Sequence, residues 1–423
     1  MSKWIREEDL NGDPVISGEE VRAALDTCVA RMESNAVCCG DRFFGANSIG
    51  NFYRAGKNKS WTTGFYTGLI WLAYENERDP QKKEILLQTG NDQVESFLHR
   101  IENREDVDHH DMGFLYSPSC VAAWKLNGNV HARTAALLAA DQLLQRFQER
   151  GQFLQAWGSM QDPGNYRFII DCLLNLPLLY WASEESGEER YREIAEKHIH
   201  TAMTNVIRED DSCWHTVFMN PVTGEFDHGA TCQGYRDGSA WARGQAWGIY
   251  GTAIAYRYTG RTEYITYFKR VTSYFLNHLP KDRIPCWDLT FGDTDVLPFS
   301  DPRVRNAGED KSIYDAATGI QPRDSSSDVI AACGMLEMSD LLEGEERSYY
   351  RGLAGKLLKA VLDLCYEPDD SKTNGLVLHG TYSHHSPYNT CSPEGTDECV
   401  IWGDYYFMEA LNRLHNPEWK TYW

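Results

Sequence analysis

Positive charge is scarce in this chain of 423 residues: 41 Lys and Arg stand against 62 Asp and Glu, a formal net charge of -21. Such a field disfavours nucleic acid and anionic membrane as partners, and an anionic ligand would need a local positive pocket. Long apolar runs are missing, so no membrane-spanning helix is expected. The opening Met1-Ser2-Lys3-Trp4-Ile5-Arg6-Glu7-Glu8 is charged and has no apolar core, so no secretory signal is expected either. The 12 cysteines contain no Cys-x-x-Cys pair, and no His/Cys cluster has zinc-site spacing. Scattered cysteines of this kind fit a reducing cytoplasm. Blocks of strand-like alternation are also lacking, apart from short hairpins expected near Trp214 to Asp227 and Gly375 to His379.

What is present is helix of two kinds. One kind is rich in Gly, Ala and aromatics and poor in charge: Gly64 to Trp71, Gly113 to Trp124, Phe168 to Ala182, Trp241 to Tyr256, Val329 to Leu342 and Val400 to Leu411. The other is amphipathic: Val21 to Met32, Gln81 to Ile101, Val130 to Arg150, Tyr191 to Ile207, Tyr264 to Leu279 and Tyr349 to Cys365. A capping box, Ser17-Gly18-Glu19-Glu20, opens the first of these. The two kinds alternate through about twelve helices, or six pairs. Helices buried all round need an inner ring and helices wet on one side an outer one. The pattern therefore predicts an all-α (α/α)6 barrel, a single domain over 1–423 with an irregular N-terminal segment 1–16. The 13 Trp and 23 Tyr are partly core, but they are also the flat surfaces on which sugar rings pack.

Asp171 is the most informative residue. It lies in Phe168-Ile169-Ile170-Asp171-Cys172-Leu173-Leu174-Asn175-Leu176-Pro177, a nearly apolar run. Burying a carboxylate without a cation raises its pKa and makes it a proton donor at neutral pH. If the run is helical, Asn175 falls about 6 Å along the axis on the same face, where it can orient the acid or bind a hydroxyl. Pro177 just beyond should kink the helix. Asp111, in His109-His110-Asp111-Met112-Gly113-Phe114, is either a helix N-cap or a second carboxylate aimed into the same cavity. In Thr231 to Gly248, Ser239 reads as a cap, and Arg243 falls in the first helical turn, where the dipole does not favour it. Arg243 there suggests an anion to be held, most simply a carboxylate, with an internal ion pair as the alternative. His215 is a lone histidine in a long loop, and such residues are more often structural than catalytic.

Taken together, the Asp111 segment, the run Ile169 to Ser183, Gln233-Gly234-Tyr235 with Trp241-Ala242-Arg243-Gly244-Gln245-Ala246-Trp247-Gly248, and Asp397-Glu398-Cys399-Val400-Ile401-Trp402-Gly403-Asp404-Tyr405 resemble the unsaturated glucuronyl hydrolases of glycoside hydrolase family 88. The resemblance runs from about Trp61 to the C-terminus. It implies no metal and no cofactor, and as partner an oligosaccharide ending in a 4,5-unsaturated uronic acid, the sugar that lyases leave on glycosaminoglycan fragments. It places Asp171 on the family's general acid/base, Asp111 on its second carboxylate and His215 on an active-site histidine. Asn175, Gln233, Trp241, Arg243, Trp247, Trp157 and His110 are expected to bind substrate, with Trp61 or Tyr66 as a further aromatic wall. Ser383 and Ser386 fall where sulfate-preferring members resemble Ser-x-x-Ser-x-Lys. Here the run is Ser383-His384-His385-Ser386-Pro387-Tyr388, and Cys232 stands where members often carry His or Arg. Both cationic side chains are thus lost, which weakens any sulfate contact unless Arg236 or the histidines compensate.

Three rivals differ in testable ways. Unsaturated rhamnogalacturonyl hydrolases share the chemistry but tend to show Arg-Gly-Asn-Gly-Trp in place of Arg243 to Trp247. A sugar epimerase would want two opposed histidines, and a non-catalytic carbohydrate-binding toroid would have no turnover to lose. A monomer or homodimer is expected.

Overall fold

The computed structural model describes residues 7–305 and 310–423. The charged N-terminal residues 1–6 and part of the long connector between Lys281 and Arg323 lie outside them. Fourteen α-helices occur among the described residues: α1 Gly18–Cys39, α2 Thr63–Asn76, α3 Pro80–Glu102, α4 Met112–Tyr116, α5 Ala122–Asn127, α6 Val130–Leu144, α7 Pro177–Ser186, α8 Glu189–Val206, α9 Ala242–Thr259, α10 Glu263–Asn277, α11 Pro302–Arg305, α12 Ser325–Leu341, α13 Gly344–Leu364 and α14 Ile401–His415. The inner ring closes in the order α2, α4, α7, α9, α12, α14 and back to α2, with a 3-10 turn (Ile170–Leu174) joining α7 to α9. The outer helices α1, α3, α6, α8, α10 and α13 each pack on an inner neighbour. This is the (α/α)6 barrel that the alternation of apolar and amphipathic segments implied. No helix among the described residues is long and apolar enough to cross a membrane.

Local chemistry explains the ends. Ser17 and Glu20 form the reciprocal capping box at α1. Asn129 caps α6 by accepting from the His131 and Ala132 amides. Between α4 and α5 the helix widens into a π-turn, Ser117–Val121, at Pro118, which has no N–H to give the ladder.

Three expectations are corrected. Phe168 to Ala182 is not one helix. Arg167–Ile169 is a β-strand, the 3-10 turn follows, and Pro177 opens α7 instead of kinking a continuing helix. The physical reason is that Phe168 and Ile169 prefer a pleated setting, while Pro is favoured at a helix's first turn and costly inside it. The segment from Val130 stops at Leu144, and Phe147–Gln148 instead pairs with Phe153–Leu154 in a short hairpin. Gly375 to His379 forms no hairpin: Val377 in its middle makes an isolated bridge with Tyr366, and Gly380 just beyond it makes one with Glu398. The other expected hairpin forms, Thr216–Met219 with Phe226–Ala230, and Arg167–Ile169 joins it as a third strand.

Candidate active site

That small sheet is what builds the site. Ile169 pairs with Thr216, and the Ile170 amide donates to the His215 carbonyl at 3.0 Å. Asp171 and His215 therefore leave adjacent strands side by side. On the other flank, Gly113 brings the start of α4 against Asn175, where a Cβ would come within 2.3 Å of the Asn175 Cα. Only glycine permits this approach. The Asn175 Oδ1 accepts from the Phe114 amide at 2.8 Å, and its Nδ2 folds back to the Asp171 carbonyl at 3.3 Å. Asn175 thus bolts the Asp111 segment to the Asp171 segment.

Asp111 stands at the N-cap position of α4, yet its side chain caps nothing. It faces the histidines instead. His109 Nδ1 lies 3.0 Å from its Oδ2 and His110 Nε2 3.3 Å from its Oδ1. The same His110 Nε2 is 3.5 Å from Asp171 Oδ1. One carboxylate oxygen of each acid and a His110 ring nitrogen all lie within 4.8 Å of one another.

Two acids this close titrate apart. Burial first, and then the negative charge of Asp111, push Asp171 well above the usual carboxylate range, with Arg243 and backbone amides pulling weakly the other way. Its side chain is 14% exposed and its Oδ1 has no hydrogen-bond partner. No guanidinium or ammonium is paired with it among the described residues. Burial works on Asp111 too, but His110, the His109 hydrogen bond and Asn175 outweigh it and hold Asp111 below the usual range. Burial drives His110 down to about 4 and His215 to about 3, so both are neutral imidazoles at pH 7. His110, Asp111 and Asp171 have the spacing of metal ligands. A cation there needs both carboxylates ionised, whereas the surroundings favour protonated Asp171.

The remaining expected residues divide. Trp157 is 41% exposed and edge-on to His110 at 6.2 Å. Trp241 packs edge-on against His215 at 4.9 Å. Gln233 is half-buried, and its Oε1 accepts from Arg243 at 3.4 Å. Trp247, expected to contact substrate, is instead fully buried between Phe114 and Tyr406. Arg243 is a second such case. Its guanidinium donates to Asp324 at 2.9 Å and to the carbonyls of Thr381 and Tyr382 at 2.7 and 2.8 Å, stacked over Trp241 and Trp402. The internal ion pair is what the structure shows, and Arg243 acts on the cavity as a fixed positive field. Ser239 does not cap α9, since its hydroxyl donates to Asp288 at 2.5 Å. Ser386 donates to the Tyr235 carbonyl and accepts from the Tyr388 and Asn389 amides, so it organises its own loop. Ser383 is half-buried nearby, and its carbonyl accepts from Thr396 at 2.6 Å.

Several residues escaped sequence reasoning. His109 was visible as the neighbour of His110, but nothing singled it out. Asp324 is 81 positions from Arg243, and no local spacing links them. Trp61, one of the two residues expected as a further wall, is half-buried and stacks on Trp402 at 5.3 Å, with its indole N–H donating to the Tyr382 hydroxyl. Tyr66 is fully buried and belongs to the core.

The Glycosyl Hydrolase Family 88 model matches residues 42–281. This chain belongs to glycosyl hydrolase family 88. It is 40% identical over 406 residues to the unsaturated chondroitin disaccharide hydrolase of Streptococcus agalactiae, covering 96% of this chain and 93% of the relative. Over 378 residues it is 40% identical to the unsaturated glucuronyl hydrolase of Bacillus sp. GL1, covering 89% and 91%. The crystal structure of the unsaturated glucuronyl hydrolase from Streptococcus agalactiae superposes with a TM-score of 0.86 at 39% identity, covering 99% of this chain and 97% of that one. In this member of the family the two acids meet at His110, with Trp157 edge-on to the same histidine.

Proposed function

We propose that this protein is a glycoside hydrolase that removes a 4,5-unsaturated uronic acid from the non-reducing end of lyase-generated glycosaminoglycan oligosaccharides. The single observation that carries the mechanism is the meeting of Asp171 and Asp111 at His110 Nε2, 3.5 and 3.3 Å away, where burial and the neighbouring negative charge push Asp171 up and the histidines hold Asp111 down.

The substrate's C4=C5 bond is conjugated to the ring oxygen and so is an enol ether. Protonated Asp171 gives its proton to C4, and positive charge develops at C5 and the ring oxygen. Water adds at C5, with Asp171, now a carboxylate, taking the proton from it. The resulting hemiketal opens and the glycosidic linkage collapses without displacement at the anomeric carbon, unlike two-carboxylate hydrolysis. Asp111 stabilises the developing positive charge across the pocket. The positive field of Arg243 and the neutral donor His110 suit a substrate carboxylate without neutralising Asp171. Trp157 and Trp61 would provide flat surfaces for sugar rings. All 12 cysteines are free thiols, which suits a reducing cytoplasm as the place of action.

Incubation with an unsaturated chondroitin or hyaluronan disaccharide should abolish the near-ultraviolet enoate absorbance, and EDTA should leave the rate unchanged. Consumption of a saturated glucuronide without loss of any unsaturated one would overturn the proposal.

The leaving-sugar side should not favour sulfate. Tyr388 is 64% exposed and edge-on to Tyr235 at 5.3 Å, at the position of the family's lysine. The nearby Lys311 is engaged by Glu398 at 2.6 Å and by the Asp397 carbonyl. We expect unsulfated disaccharides to be turned over at least as well as sulfated ones. Tyr388→Lys should raise kcat/KM for a 6-sulfated disaccharide by roughly tenfold relative to the unsulfated one, the scale of one charge-assisted hydrogen bond.

A further inference from the structure

His215 is fully buried, and its two ring nitrogens have different surroundings. Nδ1 lies 2.6 Å from the Thr216 hydroxyl, whereas Nε2 is buried with no partner in the protein. A neutral imidazole has one N–H, and which nitrogen carries it depends on the hydrogen bond the other makes. The Thr216 hydroxyl has one proton and two candidate acceptors, His215 Nδ1 at 2.6 Å and the Cys232 sulfur at 3.7 Å. Were the ring proton on Nδ1, the hydroxyl would have only the weak sulfur acceptor left for its own proton, so the O–H···Nδ1 direction is the better satisfied of the two.

We infer that Thr216 is a positioning residue that locks His215 in the tautomer with its proton on Nε2, so that the ring presents a hydrogen-bond donor to the bound sugar. The opposite tautomer would leave Nε2 as a bare lone pair, useful only for accepting a proton. A ring whose pKa is depressed to about 3 by burial is too weak a base for that task. The geometry also fixes the ring plane, because Trp241 closes one side of the imidazole edge-on. This inference deepens the proposed hydrolase reading and depends on it for the identity of the sugar, but the tautomer itself does not.

The test uses the full-length enzyme labelled with 15N-histidine. Long-range 1H–15N correlation spectra of the resting protein should show His215 protonated on Nε2, with Thr216→Val shifting or mixing the tautomer and Thr216→Ser restoring it. Valine suits the β-strand at this position, and the wild-type spectrum decides the matter even if the variant does not fold. With an unsaturated disaccharide, Thr216→Val should lower kcat by about tenfold, the loss of one well-placed hydrogen bond, and Thr216→Ser should recover most of it. In a His215→Gln background, whose amide N–H needs no partner to select it, Thr216→Val should cost nothing further. A resting spectrum with the proton on Nδ1, or a Thr216→Val variant with an unaltered tautomer, would overturn the inference. If no unsaturated uronide is consumed while the Nε2 proton is present, the hydrolase reading fails and the tautomer assignment stands.

Discussion

Asp171→Asn should reduce kcat by about a thousandfold or more while leaving KM near its original value. The amide has the shape of the acid but no proton to deliver to C4, and general acid–base catalysis by one positioned group accounts for about 10²–10⁴-fold. Loss in kcat with binding retained is the signature of an interaction made in the transition state, and it separates an enzyme from a sugar-binding toroid. The pH profile follows from the same acid. Asp171 works protonated, and its pKa is raised by burial and by Asp111. Activity should therefore be retained below that raised pKa and fall as pH climbs through it. Asp111→Asn removes the negative charge that helps to hold the proton on Asp171. Besides lowering the rate, it should move the alkaline limb to lower pH. An unmoved limb would mean that another group sets it.

Arg243→Met should cost about 3–5 kcal/mol of folding stability, the usual penalty for breaking a buried ion pair and stranding one partner. Both partners are inaccessible, and the stranded Asp324 carboxylate would keep only the Ser326 hydroxyl and the Thr381 amide. Denaturant unfolding of the variant checks this directly. Adding Asp324→Leu should recover part of the loss, since no charge then remains uncompensated. If Arg243 served chiefly to grip substrate, the single variant would unfold like the parent and show only a raised KM.

The barrel could be read from the chain because its inner and outer helices solve different burial problems and so differ in composition all along their length. Asp171 was visible for a related reason: a carboxyl among Phe, Ile and Leu is a local anomaly. What could not be read is what depends on contacts between distant segments. The fate of Arg243 was open because its partners, Asp324, Thr381 and Tyr382, lie far along the chain. The fate of Phe168 to Leu174 was misjudged because its apolar run suits a helix or a strand equally, and only the Thr216–Met219 strand beside it decides. Ser386 resembled a ligand-binding serine, but the Tyr388 and Asn389 amides of its own loop and the distant Tyr235 carbonyl occupy it.

Behind the acid pair the barrel is packed with rings. Phe114 lies against Trp247, Trp247 against Tyr406, and Trp423 stacks on Tyr406 at 5.9 Å while its indole N–H donates to Glu409 at 2.8 Å. Where these rings interlock a sugar chain has no way past them, so an oligosaccharide that reaches Asp171 from the opposite side would do so by its end.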